Sequence, residues 1–244
     1  MPGSKCLLVG LSGPSSSGKT TIARLLRDIL PNSFILHEDD FFKTDAEIPF
    51  NSTHKVADWD CLEALDLPAL ESALLHIKGH GSPPPDLVSK EDKNEIGEVD
   101  IDTALVERLK RHVAETGLGD VRVAMVDGFL LYSDEMRAVR DAFDVKFFLQ
   151  LDHDTAKTRR EARGGYVTLE GWWQDPPGYV DNIVWPNYVN DHKYLFRDGN
   201  VEGEVDGDVA GRLNIDVMTR DKQGDVSACL EWAFGKLEGA LRNF

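Results

Sequence analysis

Gly13-Pro14-Ser15-Ser16-Ser17-Gly18-Lys19-Thr20 follows the apolar run CLLVGL (6–11) and opens a helical pattern over Lys19–Leu30. The octet fits G-x-x-x-x-G-K-[ST] between a strand and a helix, the context in which that spacing has a mechanism. Gly13 and Gly18 let the backbone curl so that successive N–H groups point inward at phosphate oxygens. The N-terminus of the following helix brings its partial positive charge to the same place. Lys19 is long enough to reach β- and γ-phosphates, and the Thr20 hydroxyl can ligate Mg²⁺. The octet and the adjoining Thr21 are therefore expected to hold the phosphates of a nucleotide.

Outward from this loop, short apolar runs recur at SFILH (33–37), VRVAMV (121–126), VKFFLQL (145–151) and LNIDVM (213–218). They read as strands covered on both faces. Apolar residues three and four apart predict helices over Lys19–Leu30, Leu62–Ile77, Asp102–Glu115, Ser133–Phe143, His153–Arg163 and Gly224–Leu241. Strands alternating with helices imply parallel pairing through right-handed crossovers. The expected fold class is therefore a three-layer α/β domain spanning 1–244, with a five-stranded parallel sheet and helices on both faces. Two stretches, 79–99 with GHGSPPPD and the Gly/Asp-rich 198–211, read as exposed excursions or insertions.

The chain has 244 residues and a formal charge of −16. That balance opposes a grip on nucleic acid or anionic membrane, both of which need basic surface. Residues 86–102 hold seven acidic and two basic residues, and 198–212 hold five and one, so much of the acidity sits in those two segments. No apolar stretch approaches the roughly 18 residues of a membrane helix. Cys6, Cys61 and Cys229 are three, far apart, and lack Cys-x-x-Cys spacing, which favours a reducing setting over a disulfide or zinc scaffold. A soluble, cytoplasmic protein acting on small molecules is the expectation, with the oligomeric state open.

The second strand runs into Glu38-Asp39-Asp40-Phe41-Phe42. Strand C-termini face the ligand crevice of a parallel sheet, so a carboxylate there could take a hydroxyl proton or help hold Mg²⁺. Spacing does not choose between Asp39 and Asp40. Asp127 ends the third strand and is a second candidate for the metal region. Arg159, Arg160 and Arg163 cluster at one helix end, where a planar guanidinium fork suits phosphate oxygens. The segment 159–180, with Gly164-Gly165 and Pro176-Pro177-Gly178, has the composition of a mobile lid that excludes water from phosphoryl transfer. Trp59-Asp60 can be an aromatic face beside a ribose-binding acid, or equally a helix staple and cap. Tyr166, Trp172, Trp173, Tyr179 and Trp185 read first as packing residues.

Taken in order, GLSGPSSSGKTT, EDDFFK, WDCLEAL, VDGFLLY, TRREAR and PPGYVDNIVWPNY resemble the nicotinamide riboside kinases. These are P-loop nucleoside kinases related to uridine kinase and phosphoribulokinase. The likeness is spread over 5–62 and 121–195. It implies ATP- and Mg²⁺-dependent phosphorylation of the 5′-hydroxyl of nicotinamide riboside, a step of NAD biosynthesis. It also implies Asp39 as base and magnesium-shell residue and Lys19 on the transferring phosphate. Thr20 and Asp127 fall at the metal. Arg159 and Arg163 fall on the ATP phosphates beside Gly13, Pro14, Ser15, Ser16, Ser17, Gly18 and Thr21. Asp40, Phe41, Phe42, Trp59, Asp60, Arg160 and Tyr166 fall on the substrate side. A positive pyridinium would favour that aromatic and acidic lining. The alternatives are a uridine- or cytidine-type kinase, or a nucleotide-binding module without catalysis. Three positions depart from the family pattern: Trp59 for Tyr, Asp127 for Glu, and one extra residue in Gly164-Gly165-Tyr166.

Overall fold

The computed structural model describes residues 6–89, 99–168 and 171–244. Its central sheet has the order β2-β5-β1-β6-β9, with every pairing parallel. The strands are β1 (Leu7–Ser12), β2 (Ser33–His37), β5 (Val123–Asp127), β6 (Val145–Leu149) and β9 (Asp216–Met218). Two small antiparallel hairpins lie outside it: β3 (Phe50–Asn51) with β4 (Val56–Ala57), and β7 (Tyr166–Val167) with β8 (Trp172–Trp173). The helices are α1 (Lys19–Ile29), α2 (Leu67–His80), α3 (Thr103–Thr116), α4 (Arg137–Ala142), α5 (His153–Glu161), α6 (Trp185–His192), α7 (Gly207–Leu213) and α8 (Val226–Asn243).

The period-two geometry of the strands divides the core into two layers. Leu7, Val9 and Leu11 of β1, with Met125, Phe147 and Leu149, pack against α1, α3 and α8. Leu8, Leu36, Ala124, Val126 and Phe148 point the other way, toward α2, α4 and α6. The three-layer reading therefore holds, with five parallel strands. Because all five run the same way, β1, β2 and β5 deliver Ser12, His37 and Asp127 to one edge, where the phosphate loop begins.

Several boundaries moved. The helix expected from Leu62 starts at Leu67, after a short 3-10 turn over Leu62–Ala64. Pro68 falls in its first turn, where the missing N–H costs nothing, and Asp66, not Asp60, caps it by accepting from the Ala69 N–H. The excursion at 198–211 is half wrong: Asp206 accepts from the Asp208 and Val209 N–H groups and launches α7, and Val201 and Ala210 are buried. A local side-chain cap there outweighs the Gly/Asp composition that suggested a loop. That helix also shortens the last strand, since Leu213 ends α7. Residues 79 and 80 complete α2, and 90–98 of the other excursion lie outside the described residues. A helix missed altogether, α6, follows a π-helical turn over Val180–Val184 inside the GYVDNIVWPNY string. Among the described residues, no helix is long and apolar enough to cross a membrane.

Candidate active site

The phosphate loop holds three residues at positive φ, Gly13 at 141°, Ser16 at 65° and Gly18 at 89°. At Gly13 a Cβ would lie 2.3 Å from the Leu149 carbonyl oxygen, so glycine is required by β6 as well as by the turn. The Lys19 ammonium donates to the Gly13 and Pro14 carbonyls at 3.0 and 2.8 Å, arching over the loop. Burial pulls its pKa down to about 8, against the opposing charges of Asp127 and Asp39. The hydroxyls of Ser16 and Ser17 are buried with no hydrogen-bond partner in the protein, which suits donors meant for phosphate oxygens.

Three elements meet beside Lys19. Thr20, in the first turn of α1, donates its hydroxyl to Asp127 Oδ2 at 2.5 Å. His37, the cross-strand partner of Asp127 in the β2–β5 register, contacts Asp127 Oδ1 through Nδ1 at 2.5 Å. Burial pushes the Asp127 carboxyl up, but the His37 and Thr20 hydrogen bonds and the charges of His37 and Lys19 win and hold it below the usual range. A hydroxyl and a carboxylate side by side form a hard-oxygen set of the kind Mg²⁺ takes. Asp39 and Asp40 follow in a 3-10 turn over Glu38–Phe41, half-buried, with the Asp39 charge felt at Lys19.

Glu38, fully buried, has a structural task that the sequence reading missed. Its Oε2 accepts from the Phe129 and Leu130 N–H groups at 2.7 and 3.0 Å. Burial raises its pKa to about 7 despite those bonds. A Cβ on Gly128 would lie 2.5 Å from that same oxygen, so the glycine of VDGFLLY is the space through which β2 is bolted to the turn after β5. Phe41, expected on the substrate side, packs into the second core layer.

Phe42 packs beside Trp59. Its ring meets Trp59 edge-on at 5.5 Å and stacks on Phe129 at 6.1 Å. Trp59 is only 6% exposed, with Trp173 of the β7–β8 hairpin tilted over it at 5.7 Å. The Trp59 N–H donates to the Tyr179 hydroxyl, which in turn donates to the Ala57 carbonyl. Asp60 is bound bidentately by Arg160, at 2.6 and 2.9 Å. The same guanidinium grips Asp175 at 2.6 and 3.2 Å and lies over the Tyr166 and Tyr179 rings at 5.2 and 5.6 Å. Burial lifts the Asp60 pKa, with Arg160 pulling it back. Asp58 is tied to Asn187 of α6, which also donates to the Asp60 carbonyl.

One turn of α5 thus aims its arginines two ways. Arg159 reaches the Ser16 and Gln223 carbonyls at 3.3 and 3.4 Å, on the phosphate-loop side, while Arg160 faces Asp60. Arg163 is exposed, 5.6 Å from the Tyr166 ring, and its charge acts on Lys19. Asp175, Asn187, Asp58 and His37 escaped the sequence reading. Only His37 carried a signal, as the strand residue immediately before EDDFF.

The chain is 42% identical to the nicotinamide riboside kinase of Schizosaccharomyces pombe, over 98% of this chain and 99% of that one. It belongs to the nicotinamide riboside kinase family. The nicotinamide riboside kinase of Eremothecium gossypii is 41% identical, covering 82% of this chain and 81% of its own. No family model matches. Among solved structures, one described as a possible uridine kinase from Bacillus stearothermophilus covers 81% of this chain and 89% of its own, at 18% identity and a TM-score of 0.45.

For this member of the family, the second glycine of Gly164-Gly165-Tyr166 has a physical reading. Gly165 sits at φ 141°, and a Cβ there would lie 2.5 Å from both Trp172 Nε1 and the Trp173 carbonyl oxygen. The second glycine is what lets hairpin β7–β8 fold back and carry Trp173 onto Trp59. Gly165→Ala is expected to lower the KM of the acceptor several-fold, because backbone strain of about 1–3 kcal/mol falls on the hairpin that holds Trp173 over Trp59. The KM of ATP should stay put, and steady-state ADP release with each substrate varied in turn reads both values.

Proposed function

We propose that this nicotinamide riboside kinase transfers the γ-phosphate of ATP to the 5′-hydroxyl of nicotinamide riboside, giving nicotinamide mononucleotide. The observation that supports it most is the split of the α5 arginines, one toward the phosphate loop and one toward Asp60. One short helix then couples the donor side to the acceptor side. In this reading the loop N–H groups, the Ser16 and Ser17 hydroxyls and Lys19 hold the phosphate chain of ATP, with Arg159 and Arg163 arriving from the lid. Asp39 takes the proton of the attacking hydroxyl.

Thr20 and Asp127 fit Mg²⁺, with Asp39 nearby; the Thr20 proton is committed to Asp127, so its oxygen lone pairs remain for the metal. When bound, Mg²⁺ neutralises charge on the phosphates being cleaved. On the acceptor side, Asp60 has lone pairs beyond the two used by Arg160, enough to accept two ribose hydroxyls. For a pyridinium to stack on Trp59, Trp173 must withdraw. Van der Waals contact on both faces of a ring needs roughly 7 Å between its neighbours, and these two stand at 5.7 Å.

The test is ADP release with Mg²⁺ and ATP, comparing nicotinamide riboside, uridine, cytidine and no acceptor. Turnover is expected with nicotinamide riboside at least tenfold above either pyrimidine nucleoside, with little release when no acceptor is added. Tryptophan emission should change on adding nicotinamide riboside, as Trp59 exchanges one ring neighbour for another. Preference for uridine or cytidine would move the substrate and leave Asp39 and the phosphate loop in their roles.

A further inference from the structure

Parallel pairing places His37 directly beside Asp127 at the C-terminal ends of β2 and β5, and side chains of paired residues lean to the same side of a sheet. His37 is 1% exposed and Asp127 5%. Each oxygen of the carboxylate has its own partner: Oδ1 faces His37 Nδ1 at 2.5 Å, and Oδ2 accepts from the Thr20 hydroxyl at 2.5 Å. With Asp127 ionised, the His37 contact is an Nδ1–H donating to Oδ1. The carboxylate has little rotational freedom left. Were Oδ1 released, the group could turn about its Cβ–Cγ bond, and the direction in which the Thr20 hydroxyl offers its lone pairs would no longer be set.

We propose that His37 is a positioning residue for the divalent cation: by pinning Asp127 Oδ1 it fixes the Asp127–Thr20 pair in the orientation that binds metal beside the nucleotide. The relay runs through three elements, from the end of β2 to the end of β5 to the first turn of α1. None of its members has to touch the acceptor. It rests on the Mg²⁺–nucleotide reading above but not on the identity of the acceptor. Groups that orient a metal's ligands from behind are worth about 10–100-fold in metal affinity.

The experiment compares His37→Ala, His37→Asn and His37→Gln with the parent protein in Mn²⁺ binding to the enzyme–ADP complex, followed by electron paramagnetic resonance. Asparagine places an amide N–H near the position of Nδ1, and glutamine places it one bond too far. His37→Ala is expected to weaken Mn²⁺ about tenfold. His37→Asn should restore most of that loss and His37→Gln little, while ADP affinity without metal stays unchanged. The Mg²⁺ concentration for half-maximal turnover should shift in the same order. Unchanged Mn²⁺ affinity in His37→Ala would overturn the proposal, as would equal losses in the Asn and Gln variants. Should the alanine variant not fold, the Asn–Gln difference alone decides. Because Mn²⁺ and ADP need no acceptor, failure to phosphorylate nicotinamide riboside would leave this result standing.

Discussion

Asp39→Ala is expected to lower turnover by about 10³-fold, within the range that a positioned general base contributes, while ADP still binds. The carboxylate lies in the 3-10 turn at the end of β2, on the same crevice edge as Lys19, and its charge is one of those opposing the fall of the lysine pKa. Removing it takes away the proposed proton acceptor and a negative charge felt at Lys19, but leaves Gly13, Ser16, Ser17 and Gly18 where they are. Nucleotide binding should therefore survive, and the loss should fall on kcat. Coupled ADP release and direct titration with a fluorescent ADP analogue separate the two quantities. Turnover within tenfold of the parent would transfer the base role to another group, with Asp40 of the same turn the next to test.

The second large effect concerns stability. Arg160, 7% exposed, lies between the buried Asp60 carboxylate and the half-buried Asp175 and hydrogen-bonds to both. Arg160→Leu would leave Asp60 and Asp175 facing each other without a cation. Losing one partner of a buried ion pair typically costs about 3–5 kcal/mol, which for a chain of this size is a fall in Tm of roughly 10 °C. The same substitution unties α5 from the Asp58–Asp60 stretch and from the hairpin, so acceptor binding should weaken along with stability. Differential scanning calorimetry reads the first and ADP release the second. A shift in Tm under about 2 °C would mean that the two acids are solvated or protonated without the arginine. Lysine would not substitute well, since the four bonds to Asp60 and Asp175 use the planar fork.

Local patterns carried the fold. The phosphate loop, the apolar runs 6–11, 33–37, 121–126 and 145–151, and the helical spacing after Lys19 each act over a few residues, so the sequence displays them directly. The same locality misled at 198–211, where one side-chain cap at Asp206 turned a Gly/Asp-rich run into α7. It also hid α6, whose residues follow a π-helical turn that shifts the periodicity.

The sequence by itself determined the loop that cradles phosphates, the carboxylates at the ends of β2 and β5, and the arginine cluster, because each is a residue type at a short fixed spacing. The tertiary structure alone decided the partners. Nothing in the order of residues says that Asp60 and Asp175 share Arg160, that Trp173 covers Trp59, or that Gly128 makes room for Glu38. Those pairings join segments 15 to more than 100 residues apart. Strand register, helix direction and the free rotation of a glycine bring them together, and each of these depends on how the whole sheet packs.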